Sequence, residues 1–524
     1  MKEIKELNKQ DEILKLEINK LREAGQKFLN KEISVGDFKG ISGGMGVYAQ
    51  RGGQEFMIRF RTNSGLISMK HLKLIKNFTE KYHIEDIHFT TRQAIQLHHL
   101  SIDDICDIME IALNHKLYTR GGGGNYPRNV TISPMSGIEK GEVFDVTEFA
   151  LKVSEYFMNR ITEYKLPRKL KVSMSSSDRD EAGATINDIG FIAAVENGKP
   201  YFRMYLAGGL GNNPGISIPY EKKVNPKEIL YYVEAMVNLF MAEGDYTNRA
   251  KARTRYIPRR MGIDKFLEAY EEHLNNVKKE KNLDLNIEIE LSETLKKYSH
   301  KLKEDFSLIH QRQDNLYTVI IHPLNGQISS ENFKKIVEFM EGNSNAEARL
   351  SMTESMYIRN LNEEQAEKLL QITDEFRQKT KIQQSMSCVG IPTCQIGIEQ
   401  SQSLVKNILE YIKINNISEE KLPAVYVSGC QNSCGRHQTG DIGFAGGKKR
   451  VRDKIEDVFD IYAGGMVSRE KTILGTKFGT MLMSQIPEFI GELSVELEKN
   501  HMNYKEYISE KNENFIELIK KYLV

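Results

Sequence analysis

Four of the five cysteines form two tight pairs that could hold a metal centre. Cys388 and Cys394 lie in SCVGIPTC, and Cys430 and Cys434 lie in GCQNSCGR, with 35 residues between the pairs. Soft thiolates suit an iron–sulfur cluster or zinc. The C-x5-C and C-x3-C spacings differ from the C-x2-4-C knuckles of a zinc ribbon. We therefore favour a [4Fe–4S] cluster, with zinc as the alternative.

The fifth cysteine stands apart from these pairs. Cys106 lies alone in the apolar segment IDDICDIMEIAL, which is predicted to be a helix. A lone buried thiol behaves as a small hydrophobic side chain. We therefore predict that Cys106 belongs to the core and is not a ligand.

Two short segments place positive side chains on one face of an extended strand. In FMIRFR, which begins at Phe56, alternation puts Arg59 and Arg61 on one face and the aromatic residues on the other. In RKLKV, Lys169 and Lys171 share a face in the same way. Like charges side by side repel, so such a face points either to water or to a bound anion. Periodicity alone favours water.

The chain contains a long internal duplication. FMIRFRTNSGLISMKHLKLIKNF, from Phe56, aligns with YTVIIHPLNGQISSENFKKIVEF, from Tyr317, at a constant offset of 261 residues. Each copy reads as a strand, a Gly turn, an amphipathic helix, a second strand and another helix. Weaker similarities follow each copy, such as INDIGFIAA with TGDIGFAGG. We predict two related α+β halves about a pseudo-two-fold axis, with a site at their junction.

Composition limits the classes of protein that the chain could represent. In 524 residues, 73 Lys and Arg balance 72 Asp and Glu, which argues against a uniformly basic nucleic-acid binder. Clustered cysteines argue against a secreted disulfide framework. The segment MKEIKELNKQDEILKL lacks the apolar core of a signal peptide, and no run of 18 apolar residues could span a membrane. We expect a cytoplasmic protein that binds neither nucleic acid nor membrane.

Three Gly-rich stretches do not form nucleotide-binding motifs. GGMG, GGGG and GGLG begin at Gly43, Gly121 and Gly208. None continues into GK[ST] or into the full G-x-G-x-x-G pattern that opens a helix. No flavin or pyridine-nucleotide domain is evident, so electrons for a redox reaction must come from another protein.

The cysteine motifs resemble those of a known family. SCVGIPTC followed by VSGCQNSCGRHQTGDIGFAGG is similar to the double cysteine signature of the sirohaem-dependent sulfite and nitrite reductases, and the resemblance runs from about Met45 to about Gly465. It implies an internally duplicated α+β nitrite/sulfite reductase fold, in which two ferredoxin-like half-domains pair and two further α+β domains bind cofactors. It also implies that the four paired cysteines hold one [4Fe–4S] cluster and that Cys434 bridges this cluster to the sirohaem iron.

The resemblance also implies roles for basic residues. The residues implied to bind substrate are Arg59, Arg128, Lys169 and Lys171. Those implied to face the sirohaem carboxylates are Arg92, Arg168 and Arg253, with Gln96 and His98 beside them. One position departs from the pattern: some relatives have an arginine four residues before Arg92, where this chain has His88. We expect His88 to be a weaker partner, or one that acts only when charged.

The implied reaction is a six-electron reduction of sulfite to sulfide, with nitrite to ammonia as the alternative. Lys171 favours sulfite, because nitrite-reducing relatives of the plant type tend to have asparagine there and a second lysine suits an anion with two negative charges. The implied electron donor is ferredoxin, and a flavoprotein subunit is the alternative. Two other classes stay open: an electron-transfer iron–sulfur protein without sirohaem, and a zinc-stabilised binding module. Neither accounts for the basic positions.

The predicted domain organisation follows the duplication. Residues 262–308 are rich in Lys and Glu and are predicted to be mostly helical. The predicted segments are an N-terminal helical segment (1–44), a first half-domain (45–118), a sirohaem and substrate domain (119–309), a second half-domain (310–380), a cluster and sirohaem domain (381–483) and a C-terminal helical extension (484–524).

Overall fold

The computed structural model describes residues 2–292 and 300–524, with side chains described from residue 10 onward. Within these ranges the strands form four five-stranded sheets, each packed against helices. Two sheets belong to the duplicated half-domains, and one sheet belongs to the larger domain that follows each copy.

The first half-domain contains two helices followed by the first duplicated unit. Its elements are α1 (Lys2–Leu29), α2 (Val35–Ser42), β1 (Val47–Ala49), β2 (Phe56–Phe60), β3 (Leu66–Ile67), α3 (Met69–Lys81), β4 (Asp86–Phe89), β5 (Ile95–Leu100) and α4 (Ile102–Asn114). Side-chain caps start the two helices that cover the sheet, because Ser68 accepts from His71 N and Ser101 accepts from Asp104 N. Cys106 is buried in α4, so the prediction that it belongs to the core is confirmed.

The second domain has a mixed sheet under a helical layer. Its elements are β6 (Thr131–Ile132), α5 (Thr147–Met158), β7 (Val172–Ser175), β8 (Ile189–Glu196), β9 (Lys199–Leu206), β10 (Ile218–Val224), α6 (Ile229–Glu243), α7 (Tyr256–Met261) and α8 (Ile263–Glu280). α6 is apolar on most of its surface and is buried between the sheet and α8.

The second copy repeats the first. Its elements are β11 (Leu308–His310), β12 (Tyr317–Ile321), β13 (Gln327–Ser329), α9 (Ser330–Glu341), β14 (Glu347–Leu350), β15 (Met356–Leu361) and α10 (Glu363–Thr373). Ser329 caps α9 by accepting from Asn332 N, and it lies 261 residues after Ser68, which caps α3 in the first copy.

The last domain carries the paired cysteines. Its elements are β16 (Met386–Ser387), α11 (Ser401–Ile414), β17 (Val425–Ser428), β18 (Ile442–Val451), β19 (Lys454–Ala463), β20 (Thr476–Leu482), α12 (Ile486–Lys499), α13 (Tyr504–Glu510) and α14 (Asn512–Lys521). The strands β16, β17 and β18 run parallel. Because Ser387 and Ser428 end β16 and β17, both cysteine loops leave the same edge of the sheet.

The two copies exchange strands. β3 of the first copy pairs with β14 of the second, and β13 of the second pairs with β4 of the first. The registers match, since Ile67 lies opposite Ala348 and Ile328 lies opposite Ile87, and the 261-residue offset relates the two pairs. The apolar residues of both half-domains therefore form one continuous core.

The duplicated α+β organisation predicted from the sequence is confirmed, with two differences in detail. The second predicted strand of the first copy is a hairpin of two strands, β4 and β5. Residues 262–308 are predicted to be mostly helical, but the helix ends at Glu280. Residues 283–289 alternate apolar and polar side chains, have no regular secondary structure and pack with their apolar side chains against the core. Residues 293–299 of this segment lie outside the described residues. No helix within 2–292 and 300–524 is long and apolar enough to cross a membrane.

Candidate active site

A cleft of about 2150 Å³, counted with the space open at its mouth, lies where the half-domains meet the two larger domains. It brings together nearly all of the predicted site residues. Those on its wall are Arg59, Arg92, Gln96, His98, Arg128, Arg168, Lys169, Lys171, Cys388, Cys394, Cys430 and Cys434. Arg253 is the exception, since it lies behind the wall.

Hydrogen-bond donors point at the cysteine sulfur atoms, as expected for loops that wrap a cluster. Gly429 N donates to Cys388 Sγ at 3.2 Å, and the Asn432 amide donates to Cys430 Sγ at 3.4 Å. Burial and, after it, repulsion from the neighbouring Cys434 raise the pKa of the Cys388 thiol to about 12. Four mutually repelling thiolates are unfavourable unless a positively charged metal centre compensates them.

Across the described parts of the chain, no three Cys, His, Asp or Glu side chains form a group that could hold a metal ion. A mononuclear zinc site requires four ligands within about 2.3 Å of one point. The ligands of a [4Fe–4S] cluster attach to four separate irons and therefore lie farther apart.

Backbone carbonyls hold the two arginines predicted to bind substrate. Arg59 Nη1 donates to Gly122 O at 2.8 Å, and Arg128 Nη2 donates to Gly124 O at 2.8 Å. The turn that supplies these carbonyls packs closely on Gly43 and requires glycine there, because a Cβ added at Gly123 would lie 2.1 Å from Gly43 O. Burial lowers the pKa of Arg128 to about 9. Within the described residues neither guanidinium pairs with a carboxylate, so both remain available to an anion in the cleft.

Lys169 and Lys171 face the cleft side by side, just before β7. Burial and, after it, repulsion from the nearby Arg253 lower the pKa of Lys169 to about 7. Burial, followed by repulsion from Lys169, lowers the pKa of Lys171 well below its ordinary value. No carboxylate in the described part of the chain forms an ion pair with either ammonium. Adjacent half-buried cations without a counter-charge are unfavourable, so this wall is suited to anionic ligands.

The arginines predicted to face a polycarboxylate cofactor differ in their partners. Arg92 Nη2 donates to Val172 O at 2.7 Å, whereas its buried Nε has no partner among the described residues. Arg168 lies on the cleft wall, where burial lowers its pKa to about 10. Arg253 instead forms an ion pair with buried Asp188 at 2.9 Å. Arg92 and Arg168 therefore have free donors for a cofactor, and Arg253 has a protein partner already.

Two histidines line the same wall. Neither ring nitrogen of His98 has a partner among the residues described, and the same is true of His88 Nε2. Burial lowers the pKa of His88 to about 4, so its imidazole is neutral near pH 7. His88 Nδ1 lies 2.7 Å from the Gln96 side chain. The expectation that a charged His88 pairs with a carboxylate therefore does not fit its buried site.

Four charged residues of the cleft wall were not predicted from the sequence: Lys39, Arg249, Glu354 and Arg436. Arg436 follows Cys434 by two residues, so the cysteine motif contained the signal that could have identified it. Glu354 aligns with Gln93 at the 261-residue offset, and both adopt positive φ angles of 60° and 53°. Burial raises the pKa of Glu354 well above its ordinary value.

The first half has a counterpart of the cysteine loops that contains no cysteine. Val172 lies opposite Ile189, and Val425 lies opposite Ile442, so the two larger domains align at an offset of 253 residues. The preceding strands, β6 and β16, align at an offset of 255 residues, since Thr131 corresponds to Met386. At the four cysteine positions the first half has Ser133, Glu139, Ser177 and Glu181.

These four counterparts form two hydrogen-bonded pairs. Ser133 Oγ donates to Glu181 Oε2 at 2.6 Å, and Ser177 Oγ donates to Glu139 Oε1 at 3.3 Å. Arg179 also contacts Glu139. In the first half, side-chain hydrogen bonds and an ion pair therefore join the two loops that correspond to the cysteine loops. The paired cysteines occur only in the second half of the sequence.

Fold and cleft together define a class of protein. Buried thiols that need a metal centre lie beside arginine and histidine donors that need acceptors, on a duplicated α+β scaffold. This combination fits a redox enzyme that binds an iron–sulfur cluster next to a large polyanionic cofactor and a small anion.

Comparisons with known proteins agree with this class. Residues 123–278 and 379–493 match the nitrite and sulphite reductase 4Fe-4S domain. Residues 48–115 and 309–376 match the nitrite/sulfite reductase ferredoxin-like half domain. The chain therefore belongs to the nitrite and sulfite reductase family. It is an oxidoreductase whose cofactors are sirohaem and a [4Fe–4S] cluster.

Individual relatives are distant but cover most of the chain. A protein named ferredoxin–nitrite reductase from Synechococcus elongatus is 24% identical, over 84% of this chain and 86% of the relative. Sulfite reductase [ferredoxin] 1 from Mycolicibacterium paratuberculosis is 24% identical, over 75% of this chain and 70% of the relative. The solved structure of Mycobacterium tuberculosis NirA protein has a TM-score of 0.76 at 22% identity, covering 91% of this chain and 90% of NirA, which shows a shared fold.

Proposed function

We propose that the protein reduces sulfite to sulfide with six electrons. The observation that carries the proposal is the pair of half-buried lysines, Lys169 and Lys171, which face the cleft without a carboxylate partner among the described residues. Two adjacent cations are best compensated by an anion that can carry two negative charges, as sulfite can and nitrite cannot.

Each part of the cleft then has a role. Cys388, Cys394, Cys430 and Cys434 would hold the cluster, and Cys434 would also help to hold the sirohaem. Arg92 and Arg168 would donate to the sirohaem carboxylates, with Gln96 and His98 beside them, and Arg253 would contribute positive charge from behind the wall. When bound, the two cofactors supply electrons to the substrate.

The four substrate-binding cations act on the anion itself. Arg59 and Arg128, held rigidly by carbonyls of the Gly-rich turn, orient its oxygen atoms. Lys169 and Lys171 donate protons as those oxygens leave as water, because ammonium groups with lowered pKa values release protons readily.

We propose ferredoxin as the electron donor. The sequence contains no complete nucleotide-binding motif, and two relatives from different organisms carry ferredoxin in their names. A flavoprotein subunit is the alternative, and turnover with each purified donor distinguishes them.

Nitrite reduction to ammonia is the second candidate, because the relatives from Synechococcus elongatus and Leptolyngbya laminosa are named ferredoxin–nitrite reductase. The test is turnover of purified holoenzyme with reduced methyl viologen, measuring sulfide from sulfite and ammonia from nitrite. A higher kcat/KM for sulfite supports the proposal. A higher kcat/KM for nitrite would assign the second function.

A further inference from the structure

Arg59, Gln96 and His88 form one row across three neighbouring strands. Gln96 on β5 lies opposite Arg59 on β2 and opposite His88 on β4. Directly opposite residues of an antiparallel pair have Cβ atoms about 4.5–5.5 Å apart. All three side chains line the cleft. Strand register, and not a loop, therefore fixes the spacing of this row.

The neighbours of Gln96 determine which way its side-chain amide points. Arg59 offers only N–H donors. The Gln96 atom 2.5 Å from Arg59 Nη2 and 3.0 Å from Arg59 Nε is therefore the carbonyl oxygen. The amide nitrogen then lies 2.7 Å from His88 Nδ1 and donates to it. His88 carries its proton on Nε2, because Nδ1 must accept.

We propose that His88 is a positioning residue for anion binding. Its Nδ1 accepts from the Gln96 amide, which turns the Gln96 oxygen toward Arg59 and fixes that guanidinium at the cleft. The arrangement needs an acceptor at position 88. This inference rests on the anion-binding role of Arg59 proposed above.

An arginine in place of His88, as some relatives have, would act in the opposite sense. A guanidinium has donors and no acceptor, so it would attract the Gln96 oxygen and leave the amide nitrogen facing Arg59. His88 thus adds an acceptor to the row and removes a permanent charge from the cleft wall.

The test compares three substitutions in the holoenzyme. His88→Asn places an amide oxygen near the position of Nδ1, His88→Leu removes the acceptor, and His88→Arg replaces it with donors. Dissociation constants for sulfite and nitrite are measured from the change in the visible spectrum on binding. We expect His88→Asn to stay within about twofold of wild type, and the other two to bind about tenfold more weakly, the equivalent of one hydrogen bond.

Two further variants separate positioning from general damage. His322 is a buried, neutral histidine in the second copy that does not line the cleft, so His322→Leu should leave anion binding unchanged. In a Gln96→Met background the effect of His88→Leu should disappear, because the mediating amide is gone.

The possible results are distinct. If His88→Asn and His88→Leu weaken anion binding equally, His88 is not a positioning residue. The same holds if His88→Leu weakens anion binding as much in the Gln96→Met background as in the wild type. If Arg59→Met leaves anion binding unchanged, the proposed substrate site is wrong and the inference fails with it. No anion binding by the wild type would overturn both.

Discussion

Asp188 and Arg253 form a buried ion pair, in which the carboxylate accepts from Arg253 Nη2 at 2.9 Å. The same carboxylate also accepts a hydrogen bond from the backbone N–H of Lys171 at 2.8 Å. One carboxylate therefore fixes a cation behind the cleft and the backbone of a lysine on its wall. Arg253 differs in this respect from Arg92 and Arg168, which have no carboxylate partner in the described structure.

Replacing this carboxylate should destabilise the protein strongly. Asp188→Asn leaves a buried guanidinium uncompensated, so we expect the free energy of unfolding to fall by about 3–5 kcal/mol. Chemical denaturation measures the change. Asp178→Asn is the matched control, since Asp178 pairs with Arg469 at an exposed site and should cost at most about 1 kcal/mol. If the two substitutions lower the free energy of unfolding equally, burial does not explain the cost of losing the Asp188 carboxylate.

Cys434→Ser should abolish turnover with both sulfite and nitrite and should alter the visible spectrum of the holoenzyme. The reason is that this thiolate is proposed to hold both cofactors. Iron content and absorption spectra of anaerobically purified protein check the outcome. Cys106→Ala is the control, because Cys106 is a core residue: it should cost about 1 kcal/mol of stability and leave the spectrum unchanged. A fully active Cys434→Ser variant is the result that the shared-ligand proposal cannot accommodate.

Lys171→Asn should raise the ratio of kcat/KM for nitrite to kcat/KM for sulfite. Removing one of two adjacent cations weakens compensation of a doubly charged anion more than of a singly charged one. We expect the ratio to rise about tenfold, measured with reduced methyl viologen. If the ratio stays constant or falls, Lys171 does not discriminate between these anions.

Substrate binding should weaken as the pH rises through the pKa of Lys169. That pKa is lowered to about 7 by burial, so the ammonium is present below this pH and is lost above it. KM for sulfite should therefore increase between about pH 7 and pH 9, by up to about tenfold. Lys169→Arg should flatten this profile, because a guanidinium stays charged throughout the range. An unchanged profile in that variant would assign the titration to another group.

Glu139→Gln tests the network that replaces thiols in the first half. Glu139 is buried and accepts from Ser176 and Ser177, so losing its charge should lower the free energy of unfolding by about 1–3 kcal/mol. Iron content and turnover should be unaffected, because no cofactor is assigned there. A loss of iron at constant stability would show that this network supports the cluster site directly.

Much of the site could be predicted from the sequence, because its chemistry is concentrated in short motifs. The cysteine spacing indicated a cluster, and the alternation in FMIRFR correctly separated the cleft-facing Arg59 from the core residue Phe60. What periodicity could not decide was whether this face met water or an anion. That depends on Gly122, whose carbonyl holds Arg59 from a distant part of the chain.

Other features required the tertiary structure. The ion pair of Asp188 with Arg253 joins residues 65 positions apart, and no local pattern marks it. Glu354 was missed because its counterpart Gln93 is uncharged, so the duplication gave no indication of a carboxylate. The prediction that residues 262–308 are mostly helical was wrong for residues 281–292. Richness in Lys and Glu suggested a helix there, whereas residues 283–289 alternate apolar and polar side chains.

The exchange of β3 and β13 makes the two copies dependent on each other. Each sheet loses an edge strand if the other copy is absent, and the exposed edge would be free to pair with other chains. Neither half is therefore expected to be a soluble monomer if produced alone, whereas the two halves produced as separate polypeptides in one cell should associate. Ancestral forms with a single copy would have had to meet the same requirement by dimerising.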